Sequence, residues 1–357
     1  MVRIAHISDS HLGASMFQLV ERREDARKCL EKAMDMCLRH SPDVIVHTGD
    51  LFDSPFANVE DQTFVNDLLK RVSKKAPIIL IKGNHDIPFG WRYSQSPIRL
   101  LESNDLVIST GDSDTRIFKM EFDGEVVEFH LISWTNARSM NRLLNKMAPK
   151  TDTAVLLAHH LTVSKDRLPI HYNYTGIGHA HNFWLDEEYD IGRPGSTCVV
   201  DWRREMSGSS KLIVVDICKT GNEYTTESLN DVREFKYWPG FDITGMGPAE
   251  VNNKMKQWIG RLSPKKKSKP IVIINVNGVV DSETERGIDR NKIIKYGESQ
   301  IDPLFLHIES NWKVIGTAAV ELSEPLNVEK SVKEYVEQMQ TEYEDELLTM
   351  LQDIVGG

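Results

Sequence analysis

Cysteine and long apolar runs are scarce in this sequence. Its 357 residues include four cysteines, and no two of them form a Cys-x-x-Cys pair. Cys29 and Cys37 fall on the apolar face of a predicted helix, so we expect reduced core thiols and no disulfide framework. No apolar run approaches the roughly 20 residues that a membrane-spanning helix needs. These absences exclude a disulfide-stapled protein and a membrane-spanning one.

The start of the chain also lacks the features of a targeting segment. MVRIAHIS has no basic region, apolar core or small-residue cleavage site, and it leads directly into a strand-like pattern. Hydrophobic residues make up 40% of the chain and charged residues 27%, which is typical of a folded enzyme. A length of 357 residues predicts roughly two domains. We therefore expect a soluble, cytoplasmic enzyme without a membrane partner.

The net charge of −10 is concentrated at the carboxyl end of the chain. From Glu321 onward ten acidic residues stand against two lysines, so the other 320 residues carry only about −2. Nucleic-acid binding depends on a local basic surface and on bound cations rather than on the overall pI. The acidic balance therefore does not exclude DNA as a partner.

Five runs rich in Val, Ile and Leu dominate the first part of the chain. They lie at 2–11, 43–50, 77–86, 153–160 and 174–181. Such near-continuous apolar runs are typical of strands that are buried on both faces. Apolar side chains at helical spacing between the first and second runs, and again between the second and third, predict two helices. This alternation predicts a layered α/β domain.

Three further segments complete the predicted organisation. A hairpin that turns at Asp123-Gly124 and two later strands, STCVVDW and KLIVVDI, are expected to close a first domain over 1–232. A change of composition predicts a small α/β domain over 233–320, with a helix from Val251 to Leu262 followed by the strand IVIINVNG. Residues 321–357 predict a terminal helix with an apolar stripe and acidic residues on its other faces.

Polar side chains follow each of the five apolar runs. Ligands of α/β sheets bind beyond the carboxyl ends of the strands, so we expect these side chains to form a site. Asp9 and His11 lie two positions apart and would share a face if the extended backbone continued. The candidate metal ligands are Asp9, His11, Asp50, Asn84, His159, His179 and His181.

These ligands are sufficient for two metal ions. Two divalent cations about 3.5 to 4 Å apart clamp the attacking and leaving oxygens of a displacement at phosphorus. We predict that Asp50 bridges the ions, and that the other ligands divide into Asp9, His11 and His181 for one site and Asn84, His159 and His179 for the other. Carboxylate, amide and imidazole ligands without thiolates suit Mn, Fe, Co or Zn and argue against a structural zinc. The sequence does not decide between His159 and its neighbour His160.

Each motif has a simpler interpretation when it is taken alone. A strand-end Asp near a His is more often a turn than a pair of ligands, and Gly-Asp is weaker still. Their joint occurrence at the ends of five runs favours a site. The other histidines are predicted to be core or surface residues, and they are His6, His40, His47, His130, His171 and His307.

The ordered motifs Asp-x-His, Gly-Asp, Gly-Asn-His-Asp, His and Gly-His-x-His resemble those of the calcineurin-like metallophosphoesterases over roughly residues 1–229. SDSHLG (Ser8 to Gly13), GDLFD (Gly49 to Asp53) and RPGS (Arg193 to Ser196) are similar to the SbcD-type nucleases, a family of DNA double-strand-break repair enzymes also called meiotic-recombination-eleven nucleases. The resemblance implies a four-layer α/β fold, in which a sandwich of sheets is flanked by helices, with a small α/β capping domain and a C-terminal helix.

An activity and a metal follow from the resemblance. It implies cleavage of DNA phosphodiesters with two divalent ions, Mn²⁺ above all, as a 3′–5′ exonuclease on duplex ends and an endonuclease on single strands. His85 would then face the scissile phosphate, and Asp86 would orient the His85 imidazole. Many family members carry a His where this sequence has Asp53, so a difference in exonuclease behaviour is expected there.

Partners are implied in the same way. The family forms homodimers, holds DNA with the capping domain and docks a coiled-coil ABC ATPase of the SbcC type, a role we expect for the terminal helix. That helix would suit a groove on another protein, although its stripe would equally suit packing on its own domain. The basic residues Lys265, Lys266, Lys267 and Lys269 are candidates for DNA phosphate contacts, although such a run is usually a solvated turn.

Two other functions fit parts of the sequence. A phosphodiesterase acting on small molecules such as cyclic nucleotides would need the same metals, but it would not need the residues that follow Arg233. A non-catalytic DNA-binding scaffold would be expected to have lost metal ligands, yet every expected position is filled. A nuclease assay with manganese, magnesium or EDTA distinguishes these functions.

Overall fold

The computed structural model describes residues 1–88, 96–162, 168, 172–206, 208–263 and 269–315. Two compact units make up the chain. The first unit comprises Met1–Phe235 with Pro264–Pro270, and the second comprises Lys236–Ser263 with Ile271–Gly357.

A five-stranded sheet forms one half of the first unit. Its strands are β1 (Val2–Ile7), β2 (Val44–His47), β3 (Ile78–Leu80), β10 (Lys211–Cys218) and β11 (Gly221–Ser228), in the order β11-β10-β1-β2-β3. The first three are parallel, and β10 is antiparallel to both β1 and β11. Parallel pairing brings the carboxyl ends of β1, β2 and β3 to one edge of the sheet.

A six-stranded sheet forms the other half. Its strands are β4 (Thr115–Phe122), β5 (Glu125–Ile132), β6 (Thr153–Ala158), β7 (Tyr174–Ile177), β8 (Trp184–Asp186) and β9 (Ile191–Arg193), in the order β4-β5-β6-β7-β9-β8. The β4–β5 hairpin turns at Asp123 and Gly124, both with positive φ, which confirms the turn predicted from the sequence.

Helices cover the outer faces of the two sheets. They are α1 (Val20–Arg39), α2 (Val59–Val72), α3 (Ile98–Ser103), α4 (Ala137–Leu144) and α5 (Trp202–Glu205). Ala5 and Ile45 pack with α1 and α2, whereas Ile4 and Val46 pack against the six-stranded sheet. Leu156 of that sheet packs with α4 on its far side. The order helix, sheet, sheet, helix confirms the predicted four-layer fold.

The predicted strand STCVVDW is wrong. Ser196 forms only an isolated bridge with Ser8, and α5 begins at Trp202. The N–H groups that a strand would donate to a neighbour are bonded to carboxylates instead. Val199 donates to Asp231, and the next two residues donate to Glu205. These bonds hold the segment in a loop.

A small α/β module forms the second unit. Its strands are β12 (Phe235–Asp242), β13 (Ile271–Asp281) and β14 (Phe305–Ile315), and its helices are α6 (Pro248–Gly260), α7 (Ser282–Gly287) and α8 (Arg290–Ile301). The sheet order is β12-β13-β14, with β13 and β14 parallel. The helix expected near Val251–Leu262 and the strand IVIINVNG are confirmed as α6 and the first part of β13.

Two predicted features lie outside the described residues, namely the terminal helix within 321–357 and three of the four basic-run residues, Lys265, Lys266 and Lys267. Among the described helices, none combines the length and the apolar character needed to cross a membrane.

Candidate metal centre

The predicted ligands come together at the strand ends of both sheets. Among the described residues, three groups of side chains each place one potential ligand atom within 4.8 Å of the others in the group; one joins His11 to Asp53 and His85, and the other two consist of predicted ligands. The first group contains Asp9, His11 and His181, and the second contains Asp50, His159 and His179. Asp9, His11 and Asp50 follow β1 and β2 of one sheet, whereas the other three histidines follow β6 and β7 of the second sheet.

Backbone conformation, rather than strand alternation, aims these side chains. The extended backbone on which Asp9 and His11 would share a face does not continue, because both residues have positive φ, 51° and 43°. Asp50 and His179 also have positive φ, 52° and 72°. Left-handed residues other than glycine are costly, and such strain concentrates at functional sites. The chain therefore leaves each strand in a tight turn that directs its polar side chain into the centre.

Gly83 allows the backbone after β3 to approach Asp50 closely. A Cβ at Gly83 would overlap the Asp50 carboxylate and the Asp50 backbone nitrogen. Only glycine fits at this position, which explains the Gly that precedes Asn84 in the motif at the end of β3.

The Asp50 carboxylate lies between the two groups. Its Oδ2 is 3.2 Å from His159 Nε2 and 3.7 Å from His11 Nε2, and its Oδ1 accepts a hydrogen bond from the His85 backbone N–H at 2.8 Å. Burial raises the pKa of Asp50, but the hydrogen bond with His159 and the charges of His159 and His11 outweigh burial and hold that pKa well below its usual range. This is the position that a bridging carboxylate requires.

The Asn84 amide joins the second group. Its Oδ1 lies 3.0 Å from both His159 Nε2 and His179 Nδ1. His159 is fully buried and faces this group, whereas the ring of His160 lies beside those of Trp134 and His179. The sequence left His159 and His160 as alternatives, and it is His159 that lies in the second group.

Three of the imidazoles are oriented through Nδ1. His11 Nδ1 is 3.2 Å from Asp53 Oδ1, His159 Nδ1 is 2.7 Å from the Thr48 carbonyl, and His181 Nδ1 is 2.8 Å from Glu205 Oε1. Carboxylate and carbonyl oxygens only accept hydrogen bonds, so Nδ1 carries the proton and Nε2 is the nitrogen open to a ligand.

His11 Nε2 provides a direct test of fit for a cation. It is a buried atom without a hydrogen-bond partner. An unpaired buried nitrogen is unfavourable, and the nitrogen converges with the carboxylates of Asp9 and Asp50. Imidazole, carboxylate and amide donors without a thiolate match a divalent transition metal such as manganese. The residues present therefore fit a metal pair.

Protonation also shows that the centre attracts positive charge. Burial lowers the pKa of His159, but its hydrogen bond with Asp50 and the charge of Asp50 outweigh burial and raise that pKa to about 9. The pKa of His11 is raised as well, because Asp53, Asp50 and Asp9 outweigh the effect of burial. The carboxylates of the centre therefore favour positive charge at these imidazoles.

His85 lies at the open side of the centre. Its side chain is 41% exposed, and its ring stands 4.7 Å from that of His11 between centroids. The predicted role of Asp86 in orienting this imidazole is corrected by the structure, since His85 Nδ1 donates to the Asp53 carbonyl at 2.9 Å.

The Asp86 carboxylate is buried and has a different function. It accepts hydrogen bonds from the N–H groups of Leu51, Phe52 and Gly83. Burial and the charge of Asp50 raise the pKa of Asp86 to about 6. These bonds tie the loop after β2 to the loop after β3, so Asp86 supports the centre without contacting the imidazole.

Sequence reasoning missed two contacts that orient the histidines. Asp53 was noted only as a departure from the family motif, although its place in GDLFD was a signal that it lies near the centre. Glu205 gave no such signal, because it lies 24 residues from His181 in a four-residue helix. Of the basic run, Lys269 is described and exposed.

The histidines that were predicted to be outside the site do lie outside the two groups, apart from His171, which falls outside the described residues. Those that are buried make hydrogen bonds within the core, and the more exposed ones pair with glutamates. The described set is His6, His40, His47, His130 and His307.

Comparison with known proteins identifies the family. The Calcineurin-like phosphoesterase family matches residues 2–194, and the chain belongs to this family of hydrolases. The match confirms the resemblance seen in the ordered motifs. The family uses a pair of divalent metal ions, and the two groups of side chains described above are this chain's candidate ligands.

Three curated relatives carry the same name, DNA double-strand break repair protein Mre11. The chain is 29% identical to that of Saccharolobus solfataricus over 52% of this chain and 50% of the relative. It is 28% identical to that of Sulfurisphaera tokodaii over 65% and 64%, and 26% identical to that of Thermoplasma acidophilum over 78% of each chain. The matched segment thus spans from half to about three quarters of these relatives.

A solved structure of a dimetal phosphatase from Danio rerio is also similar, at 11% identity and a TM-score of 0.39 over 64% of this chain and 99% of that chain. A likeness at this level supports no further argument.

Proposed function

We propose that this chain is a metal-dependent DNA nuclease that processes DNA ends in double-strand-break repair. The names of the three relatives support DNA as the substrate. The observation that carries the chemistry is the Asp50 carboxylate, which lies between two groups of ligands with the exposed His85 beside them.

The ligand assignment is part of the proposal. Asp50 is shared, and the other ligands divide into Asp9, His11 and His181 for one ion and Asn84, His159 and His179 for the other. When bound, two divalent ions, Mn²⁺ by preference, polarise a phosphodiester and supply a nucleophile at neutral pH. The mixture of oxygen and imidazole donors supports this choice of metal.

His85 is the proposed catalytic residue. Because the Asp53 carbonyl holds the proton of Nδ1, His85 Nε2 is the atom that faces the substrate side. As the imidazolium, with both ring nitrogens protonated, His85 would donate from Nε2 a hydrogen bond to a phosphate oxygen, or a proton to the leaving oxygen of the sugar. Its backbone N–H is fixed on Asp50, so the imidazole is coupled in position to the bridging carboxylate.

The finer activities rest on the family resemblance. We propose 3′–5′ exonuclease action on duplex ends and endonuclease action on single strands, carried out by a homodimer. The second unit would hold DNA, and the segment 328–355 would dock a coiled-coil ABC ATPase of the SbcC type.

A substrate comparison tests the proposal. The full chain loaded with Mn²⁺ is incubated with linear duplex DNA, single-stranded DNA and cyclic nucleotides, with parallel samples in Mg²⁺ and in EDTA. We expect Mn²⁺-dependent cleavage of DNA that EDTA abolishes. Hydrolysis of cyclic nucleotides alone would replace the nuclease with the small-molecule phosphodiesterase, and a metal-loaded protein that cleaves none of them would contradict an enzymatic role.

A further inference from the structure

Two pairs of a cation and an aromatic ring follow the metal centre, one on the β8–β9 hairpin and one between Phe183, just before β8, and Lys211, the first residue of β10. The Arg193 guanidinium carbon lies 5.9 Å from the centre of the Trp184 ring, and Lys211 Nζ lies 4.4 Å from that of Phe183. Trp184 and Arg193 are also cross-strand partners of β8 and β9. All four side chains are half-buried, so the rings and the cations are held in place but remain in reach of solvent.

Neither cation is neutralised by a carboxylate among the described residues. The Arg193 Nε donates to the Asn182 carbonyl at 2.9 Å, and the contact of Lys211 Nζ is with the Phe183 ring. Arg116 is a useful contrast, because it also lies over a ring, that of Phe118, but forms an ion pair with Glu102 at 3.0 Å. The end of β8 and the turn to β9 carry Asp186, Glu187, Glu188 and Asp190, so the two ring-stacked cations, and not the hairpin as a whole, offer the site for an anion.

This hairpin is continuous with the metal centre. Phe183 and Trp184 come directly after His181 and Asn182, and β8 is the edge strand of the six-stranded sheet in the described structure. The Ser196 N–H donates to the His181 carbonyl at 3.2 Å, which ties the loop after Arg193 to the ligand segment. The aromatic pair is therefore held next to the candidate ligand His181 along the chain.

We propose that Phe183, Trp184, Arg193 and Lys211 form a binding surface for a single nucleic-acid strand that enters or leaves the metal centre. Binding of single strands combines cations that contact phosphates with rings on which bases stack. Stacking of each cation on a ring holds it ready for a phosphate. The inference rests on the proposed nuclease function and names the surface that guides its single-stranded substrate.

The test measures binding of a fluorescent thymidine oligonucleotide by anisotropy. Phosphorothioate linkages slow its cleavage, so the Mn²⁺-loaded full chain can be used at several fixed salt concentrations. The variants are Trp184→Ala and Lys211→Gln, and Arg116→Gln at the opposite edge of the same sheet is the matched control. Thermal unfolding midpoints and manganese content verify that each variant is folded and loaded, and Lys211→Gln stands alone if Trp184→Ala fails to fold.

Trp184→Ala should bind the oligonucleotide about 5- to 150-fold more weakly than the unmodified chain, because it loses the ring on which one base stacks. Lys211→Gln should weaken binding and reduce the slope of log affinity against log salt by about 0.7, the value for one phosphate contact on a single strand. Arg116→Gln should bind as the unmodified chain does. If Trp184→Ala and Lys211→Gln bind the oligonucleotide as tightly as the unmodified chain does, the proposed surface is wrong and the proposed nuclease function is unaffected. If the unmodified chain binds no oligonucleotide, both proposals fail.

Discussion

Glu205 Oε1 lies 2.8 Å from His181 Nδ1 and so fixes which nitrogen of this imidazole faces the metal centre. The same carboxylate accepts a hydrogen bond from Ser196 Oγ at 2.7 Å and from the N–H groups of Val200 and Asp201. It is buried, and its bonds hold the loop that carries Ser196 beside the ligand segment. Carboxylates behind metal-binding histidines tune affinity by fixing the ring and its tautomer.

Glu205→Gln should therefore weaken one metal site. The amide offers one oxygen instead of two and turns an NH₂ group toward donors, so the hold on His181 is lost. We expect manganese affinity at one of two sites to fall by about 10- to 100-fold, measured by calorimetric titration. Glu227→Gln, which removes a carboxylate that pairs with Arg39 on the surface, is the control and should titrate normally. Unchanged affinity in Glu205→Gln would remove this residue from the centre.

Asp50→Ala should abolish binding of both ions, because the proposed bridge would hold the pair. Elemental analysis of the purified protein after exposure to Mn²⁺ and gel filtration measures the outcome. His179→Ala, which removes a ligand of only one proposed site, should keep about one ion and serves for comparison. Two ions in the Asp50→Ala protein would sink the bridging assignment.

His159 and His160 form a matched pair of neighbours for a second test of the ligands. His159 Nε2 points at Asp50 and Asn84, whereas His160 stands beside Trp134. We expect His159→Ala to lose one ion and His160→Ala to retain both, by the same elemental analysis. The reverse result would show that the centre forms around His160 instead.

Stability should depend on pH through His6. Burial, with a smaller contribution from the charge of His47, lowers the pKa of His6 to about 3 from its ordinary value of 6.5. Between these two pH values the unfolded chain binds a proton that the folded chain does not, so stability falls as the pH falls below 6.5. The loss is about 1 kcal/mol between pH 6.5 and 5.5 for one such group.

Urea unfolding at the two pH values, in EDTA, measures this loss. His6→Gln keeps a polar side chain near Tyr174 and Thr48 but does not titrate. Between pH 6.5 and 5.5 its free energy of unfolding should therefore fall by about 1 kcal/mol less than that of the unmodified chain. An equal pH dependence in both proteins would show that His6 does not contribute.

The sequence predicted the layers, and it located the candidate ligands at strand ends, for a physical reason. Apolar runs that end in polar residues report strands and their carboxyl ends directly, and Asp50 and His159 follow such runs. The pattern could not report backbone reversals, so the extended arrangement expected for Asp9 and His11 was wrong. Local periodicity also carries no information on distant contacts, which is why Glu205 was missed and Asp86 was assigned to the wrong partner.

The predicted strand at STCVVDW failed for the same reason. Its composition suits a strand, but Asp231 and Glu205 compete for its backbone N–H groups, and their positions become visible only in the folded structure.

Single-turnover cleavage of single-stranded DNA by His85→Ala tests the central claim most directly. The variant and the unmodified chain are first matched for manganese content and for bound DNA. The account predicts that the unmodified chain cleaves and that EDTA stops it, while His85→Ala cleaves about 10²- to 10⁴-fold more slowly, the usual contribution of a general acid. Full activity in His85→Ala, or no cleavage by an unmodified chain with both ions bound, would contradict the account.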